Sequence, residues 1–240
     1  MKKIILYFSI FSCILFTACE TESTGDVSGI TNFAVFTIVG DNVIFVKKGD
    51  TYIELGATAD EAGVSVPVTT SSIGLFRSGE LDTNVPDNYT LSYSAFNKDG
   101  YEASGNRNVI VAETGDLITS IAGLYKSTVM RNGSSSAQYT DLEYVLIWEN
   151  ADGTFQLSNG IGGYYHYGRG YGGAYAASGA TITINGLNDY TFGPTFSVGL
   201  FGGAADIIEM IVDPDAKTID FKTDWDSDDL FEVHLEQVQF

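Results

Sequence analysis

Tyr89-Thr90-Leu91-Ser92-Tyr93-Ser94-Ala95 puts four apolar side chains on one parity and three small hydroxyl residues on the other. Successive side chains of an extended chain point to opposite faces, so this run predicts a strand with one buried face. Asn97-Lys98-Asp99-Gly100 ends it as a turn. Upstream, Val43-Ile44-Phe45-Val46 runs into the turn Lys47-Lys48-Gly49-Asp50, and Val64, Val66 and Val68 alternate. Downstream, Asn108 to Val111 closes the unit as a last strand. Strands at this spacing, with turns between them, predict a sandwich over residues 33–112. No helical period of comparable strength follows residue 18.

Beyond the linker at 113–117, a second β domain is expected over 118–240. Leu142 to Trp148 is apolar apart from Glu143, and Asn150-Ala151-Asp152-Gly153 turns it into Thr154-Phe155-Gln156-Leu157. Thr181-Ile182-Thr183-Ile184 alternates. Ile207–Val212 faces Lys217–Phe221 across Asp213-Pro214-Asp215-Ala216, and Phe231–Val238 is a final alternating strand. The expected fold class is all-β: a β-sandwich followed by an antiparallel meander, closed as a β-barrel or folded as a β-sandwich.

The N-terminus says where the protein resides. Lys2 and Lys3 precede an apolar run from Ile4 to Phe16, too short for an ordinary membrane span. Leu15-Phe16-Thr17-Ala18-Cys19 resembles the lipobox of bacterial lipoproteins, with Phe16 where Leu is usual. The resemblance implies a signal peptide over 1–18, lipidation of Cys19, and attachment to the membrane through acyl chains. The polar stretch after Cys19 is expected to be a flexible tether over 19–32. Its acidic residues resemble the signal that sends Bacteroidota lipoproteins to the outer face of the cell. That implies an outer-membrane, lipid-anchored protein facing the exterior.

The formal charge of -19 becomes -21 once Lys2 and Lys3 leave. So acidic a chain repels phosphate backbones, and no nucleic acid is expected as a partner. Cys13 leaves with the signal and Cys19 takes the lipid, so the folded part has no disulfide. Its roughly 220 residues must then hold together through hydrophobic cores.

Residues 33–112 resemble a bacterial Ig-like domain named for a pesticidal crystal protein. The matching elements are Val39-Gly40, Val46 to Asp50, Tyr52, Gly56-Ala57 and Leu81 to Tyr93. Asp87 stands where relatives carry a glycine, and Asn97 where an Asp is common. The second half resembles the C-terminal domain of a Bacteroides lipoprotein family of unknown function, through Ile121 to Tyr125, Gly162-Gly163-Tyr164-Tyr165 and Asp213 to Phe221. These resemblances imply a spacer or adhesion module joined to a domain that works beside glycan-import systems, with outer-membrane transport proteins among the expected partners.

The densest candidate for chemistry runs from Asn159 to Tyr175. Glycine lets backbone approach a partner closely, and tyrosine offers a flat ring with a polar tip. Tyr164, Tyr165, Tyr167, Tyr171 and Tyr175 are expected to form a platform for a polysaccharide or oligosaccharide, with His166 and Arg169 as donors. The competing expectation is a wide loop whose rings pack as core. Trp225 is a further stacking ring, or else packs beneath the acidic turn Asp224 to Asp229. Asp224, Asp226 and Asp228 have calcium-loop spacing, but Asp229 and Leu235 occupy the places that want Gly and Glu, so an EF-hand is rejected. Two distant histidines, no HExxH and no cysteine ligand argue against an enzyme. No cofactor or metal is expected. The function expected is non-catalytic glycan binding or uptake at the cell envelope; the alternative is a structural accessory that binds a partner protein.

Overall fold

The computed structural model describes residues 31–239. The signal peptide, Cys19 and the tether as far as residue 30 lie outside the described residues.

The N-terminal part is a sandwich of two sheets. One holds β1 (Val35–Ile38), β3 (Ala57–Glu61) and β4 (Val64–Val66) in the order β1-β3-β4. The other holds β2 (Val43–Lys47), β5 (Thr69–Gly74), β6 (Asp87–Phe96) and β7 (Glu102–Ala112) in the order β2-β7-β6-β5, with β2 parallel to β7. Tyr89, Leu91, Tyr93 and Ala95 of β6 all point inward, as their parity predicts. They meet Val46, Val109 and Val111, with Phe36, Ile38 and Val68 alongside. The Tyr89 hydroxyl donates to the Val85 carbonyl at 3.0 Å, tying the preceding loop to the strand.

An ion pair between a buried arginine and a half-buried glutamate locks the side of this sandwich. Arg107 on β7 is 1% exposed. It donates to Glu54 Oε1 at 2.5 Å, to the Asp41 carbonyl at 2.9 Å and to the Val39 carbonyl. Glu54 also accepts from Tyr93 at 2.8 Å and from Tyr52. The guanidinium fork is thus matched to loop carbonyls and a carboxylate at once.

The C-terminal part is one nine-stranded antiparallel sheet. Its strands are β8 (Gly123–Arg131), β9 (Leu142–Glu149), β10 (Phe155–Leu157), β11 (Thr181–Gly186), β12 (Asp189–Phe192), β13 (Phe196–Val198), β14 (Gly202–Asp213), β15 (Thr218–Trp225) and β16 (Asp229–Gln237). Each strand pairs with the next, and β16 returns to pair with β8. The break is between β12 and β13. The sheet is therefore curled, a barrel with one open seam, which decides between the barrel and sandwich alternatives. A side chain bridges beside that seam: Asn188 accepts from Val212 N at 2.7 Å and donates to Val212 O at 3.2 Å. It serves the free edge of β14 as a neighbouring strand would.

The two parts share a hydrophobic cluster. Ile110 and Ala112 of β7 pack with Leu124, Leu146 and Trp148 on the outer face of β8 and β9, with Phe76 and Tyr144 alongside. Val145 and Ile147 of β9 face the interior of the curl. Both faces of β9 are covered, which is why its sequence is continuously apolar instead of alternating. Asp87, the departure from the Ig-like pattern, is fully buried and accepts from the backbone N–H groups of Phe76 at 3.0 Å and Arg77 at 2.8 Å. Phe76 stacks on Trp148 with centroids 6.3 Å apart, and the Arg77 guanidinium lies 5.6 Å from that ring. The connecting segment is hydrogen-bonded too. Gly115 donates to Ala122 O at 2.7 Å, and the Asp116 carboxylate accepts three backbone N–H groups at 2.7–3.0 Å, which hold it far below the usual carboxylate range.

Candidate functional site

The segment between β10 and β11 enters the curl and caps it at the end where β8 and β15 finish. Ile161 is fully buried, and Thr223 on β15 donates to the Gly160 carbonyl. Gly162 has φ +64°, and a Cβ there would come within 2.7 Å of Ser127, Val129 and Val233. Only glycine lets the chain pass so close to the sheet. The next residues form a wide turn: Gly168 donates to Gly163 O at 3.2 Å and Arg169 to Tyr164 O at 2.9 Å, both five residues back. Such π-type turns are concentrated at functional sites.

This turn divides the expected platform. Tyr164, Tyr165 and His166 are buried, and Tyr164 and Tyr165 join the core of the curl. Tyr167 is half-buried, with its ring against His166 at 3.7 Å. Arg169 and Tyr171 are exposed, and Tyr175 is half-buried. Trp225 is buried as β15 alternates inward, while Asp224, Asp226 and Asp228 are exposed. Among the described residues no cluster of three metal-ligating side chains occurs.

What reaches solvent is an aromatic crescent. Tyr171 lies parallel to buried Tyr165, with centroids 6.2 Å apart and planes at 10°. Tyr175 meets Tyr171 at 5.2 Å, and Phe201 meets Tyr175 at 5.0 Å and Tyr165 at 4.7 Å. Phe201 and Tyr171 are each about half exposed, and Leu200 is 70% exposed. Gly199 brings their loop to Tyr175, where a Cβ would fall 2.5 Å from its Cα. Sequence reasoning passed over Leu200 and Phe201. Their signal was a pair of large apolar residues set between Gly199 and Gly202-Gly203, in a turn that has no core to bury them.

A second cluster adjoins the crescent. Tyr139 stacks on Tyr164 at 4.0 Å, and the guanidinium groups of Arg131 and Arg169 each lie 5.8 Å from the Tyr164 ring. Arg131 makes a two-pronged pair with Asp229, at 2.8 and 2.6 Å. Burial works to raise the Asp229 carboxyl, but hydrogen bonds from Arg131, Ser227 and Asn132 outweigh it and the net shift is downward. The indole N–H of Trp225 is buried without an acceptor, although its ring lies 6.3 Å from Phe201.

His166 faces the N-terminal part, with Phe76 at 6.4 Å. Burial depresses its pKa to about 4, so it is neutral at physiological pH and its Nδ1 has no partner. The folded pKa lies below the ordinary value, so the stabilisation is present above about pH 6.5 and is lost as the pH falls toward 4. Between pH 7.5 and 5.0 the wild type should lose about 2 kcal/mol more than His166→Leu in urea unfolding. Equal losses would remove His166 as an acid-sensitive group.

The other histidine pairs with a carboxylate. His234 lies on the outer face of β16, with Nδ1 2.7 Å from Asp220 Oδ1. Ser135 lines the same groove of about 240 Å³, but no hydrogen bond joins it to His234.

Comparison with known proteins places this architecture. A family model described only as a "-like, C-terminal domain" matches residues 114–237, more than half of the chain. The chain belongs to that family. In this family member, residues 36–111 also match the model of the bacterial surface protein Ig-like domain. The crystal structure of the lipoprotein BT2262 from Bacteroides thetaiotaomicron is similar, at 25% identity and a TM-score of 0.64 over 85% of this chain and 100% of that chain. No curated protein matches. Both halves of the resemblance read from the sequence are thus present, an Ig-like domain and a family-specific β domain, and the chain as a whole is similar to a Bacteroides lipoprotein. One matched model is that of a bacterial surface-protein domain, and the similar solved structure is that of a lipoprotein.

Proposed function

We propose that this chain is a non-catalytic glycan-binding or glycan-uptake accessory lipoprotein, anchored in the outer membrane and facing the exterior. The observation that carries the reading is Tyr171, an exposed ring held parallel to the buried Tyr165 and flanked by Tyr175 and Phe201. A sugar presents a C–H face that packs on such rings and hydroxyls that seek donors and acceptors around them. Tyr171 is inclined at 58–61° to Tyr175 and Phe201. Rings so inclined suit a single curved saccharide unit better than a flat crystalline surface. The unpartnered Trp225 N–H lies beside the same cluster.

The test is a glycan array probed with the detergent-solubilised full chain. Tyr171→Ala should weaken binding of the recognised glycan at least about fivefold, taking one stacking contact at roughly the 1–3 kcal/mol of a base stacked on an aromatic ring. Its unfolding midpoint should stay near that of the wild type, because half of the ring already faces solvent. No binding to any glycan would turn the reading to the structural accessory.

A further inference from the structure

The geometry points to an anionic saccharide as the ligand of the crescent, one whose carboxylate or sulfate pairs with Arg169. This rests on the glycan-binding reading above and narrows it. The chain has four arginines. Arg107 is paired with Glu54, Arg131 is paired with Asp229, and Arg77 lies over Trp148 where the two parts meet. Arg169 is exposed, and among the described residues no carboxylate lies within ion-pair distance of it. That is unexpected in a chain with 31 acidic residues and 12 basic ones, where a cation finds a carboxylate easily.

Arg169 is nonetheless positioned. Its guanidinium lies 5.7 Å from the Tyr139 ring and 5.8 Å from the Tyr164 ring. Two ring contacts restrain a side chain that otherwise carries large rotamer entropy. The guanidinium fork matches the oxygens of a carboxylate or sulfate, and a planar, weakly hydrated cation gives up water at low cost. Arg169 stands two residues before Tyr171, and both are exposed on the same glycine-rich segment. One saccharide unit can therefore stack on the ring and place its acid group on the arginine. The strongly negative chain opposes polyanions at long range, so binding of one would have to come from local recognition.

The experiment measures affinities of the detergent-solubilised full chain for two backbone-matched pairs. Polygalacturonate is set against its carboxyl-reduced polymer, and dextran sulfate against dextran. One charged member should bind at least about tenfold tighter than its uncharged counterpart. The pair that shows the gap tells carboxylate from sulfate. Arg169→Gln should close the gap, whereas Tyr171→Ala should weaken both members of the pair. If charged and uncharged members bind alike, or if the gap survives Arg169→Gln, the anionic assignment is overturned and glycan binding stands. If none of the four polymers binds and the glycan array is also blank, the reading and the assignment fall together.

Discussion

Arg107→Ala should cost the Ig-like part about 3 kcal/mol, the low end of the range for removing one partner of a buried ion pair, because Glu54 keeps some contact with solvent. The loss leaves Glu54 without its cation and the Val39 and Asp41 carbonyls without their donor. Both the orphaned charge and the orphaned carbonyls contribute. Burial acts to raise the Glu54 carboxyl, yet hydrogen bonds from Tyr52, Tyr93 and Gly56 and the Arg107 charge carry it below its ordinary value. That downward shift marks a carboxylate that prefers its charged state in the fold. Arg107→Lys keeps the charge but not the fork, so it should recover less than half of the loss. Hydrogen exchange of β2, β6 and β7 in urea reports on this part without relying on Trp148 and Trp225, which both lie in the other. A change under 1 kcal/mol for Arg107→Ala would mean that the network contributes specificity and little stability.

Gly162→Val should be among the more damaging single changes in the C-terminal part, at about 3–5 kcal/mol from backbone strain and overpacking together. A β-branched residue is strained at φ +64°, and the first carbon alone meets three side chains at 2.7 Å. The capping segment then has to leave the curl, taking Tyr164 and Tyr165 out of the core. Trp225 lies 6.1 Å from Tyr165, so its fluorescence should shift to the red before global unfolding. Gly162→Ala should lie between this variant and the wild type. If Gly162→Val unfolds within 1 kcal/mol of the wild type, the glycines of this segment are not what lets it thread the sheet.

Much of the architecture was legible because strand period is a local property. The parity of Tyr89, Leu91, Tyr93 and Ala95 matches their burial residue by residue. Phe231, Val233 and Leu235 do the same on β16, with His234 outward as its parity requires. The continuous apolar run of β9 also carried a message, since only a strand covered on both faces is free of alternation. The neighbour on its outer face was not legible, because Ile110 and Phe76 come from another part of the chain. The tyrosine-rich segment could be located but not divided. Tyr165 and Tyr171 are the same residue type in similar glycine-rich surroundings, yet one is 8% exposed and the other 50%. Which ring goes inward depends on the π-type turn and on Gly162, both set by the sheet already present around them.

By itself, the chain's order of apolar and polar residues determined two all-strand parts, an acidic exterior and a tyrosine-rich loop. Those features follow from alternation, charge and glycine content, which need no knowledge of distant contacts. The tertiary structure alone decided the open seam bridged by Asn188, the packing of Ile110 against Trp148, and the company of Arg169, Tyr171 and Phe201. These unite residues from separate strands and loops, and such proximity arises only when hydrophobic burial closes the sheet upon itself.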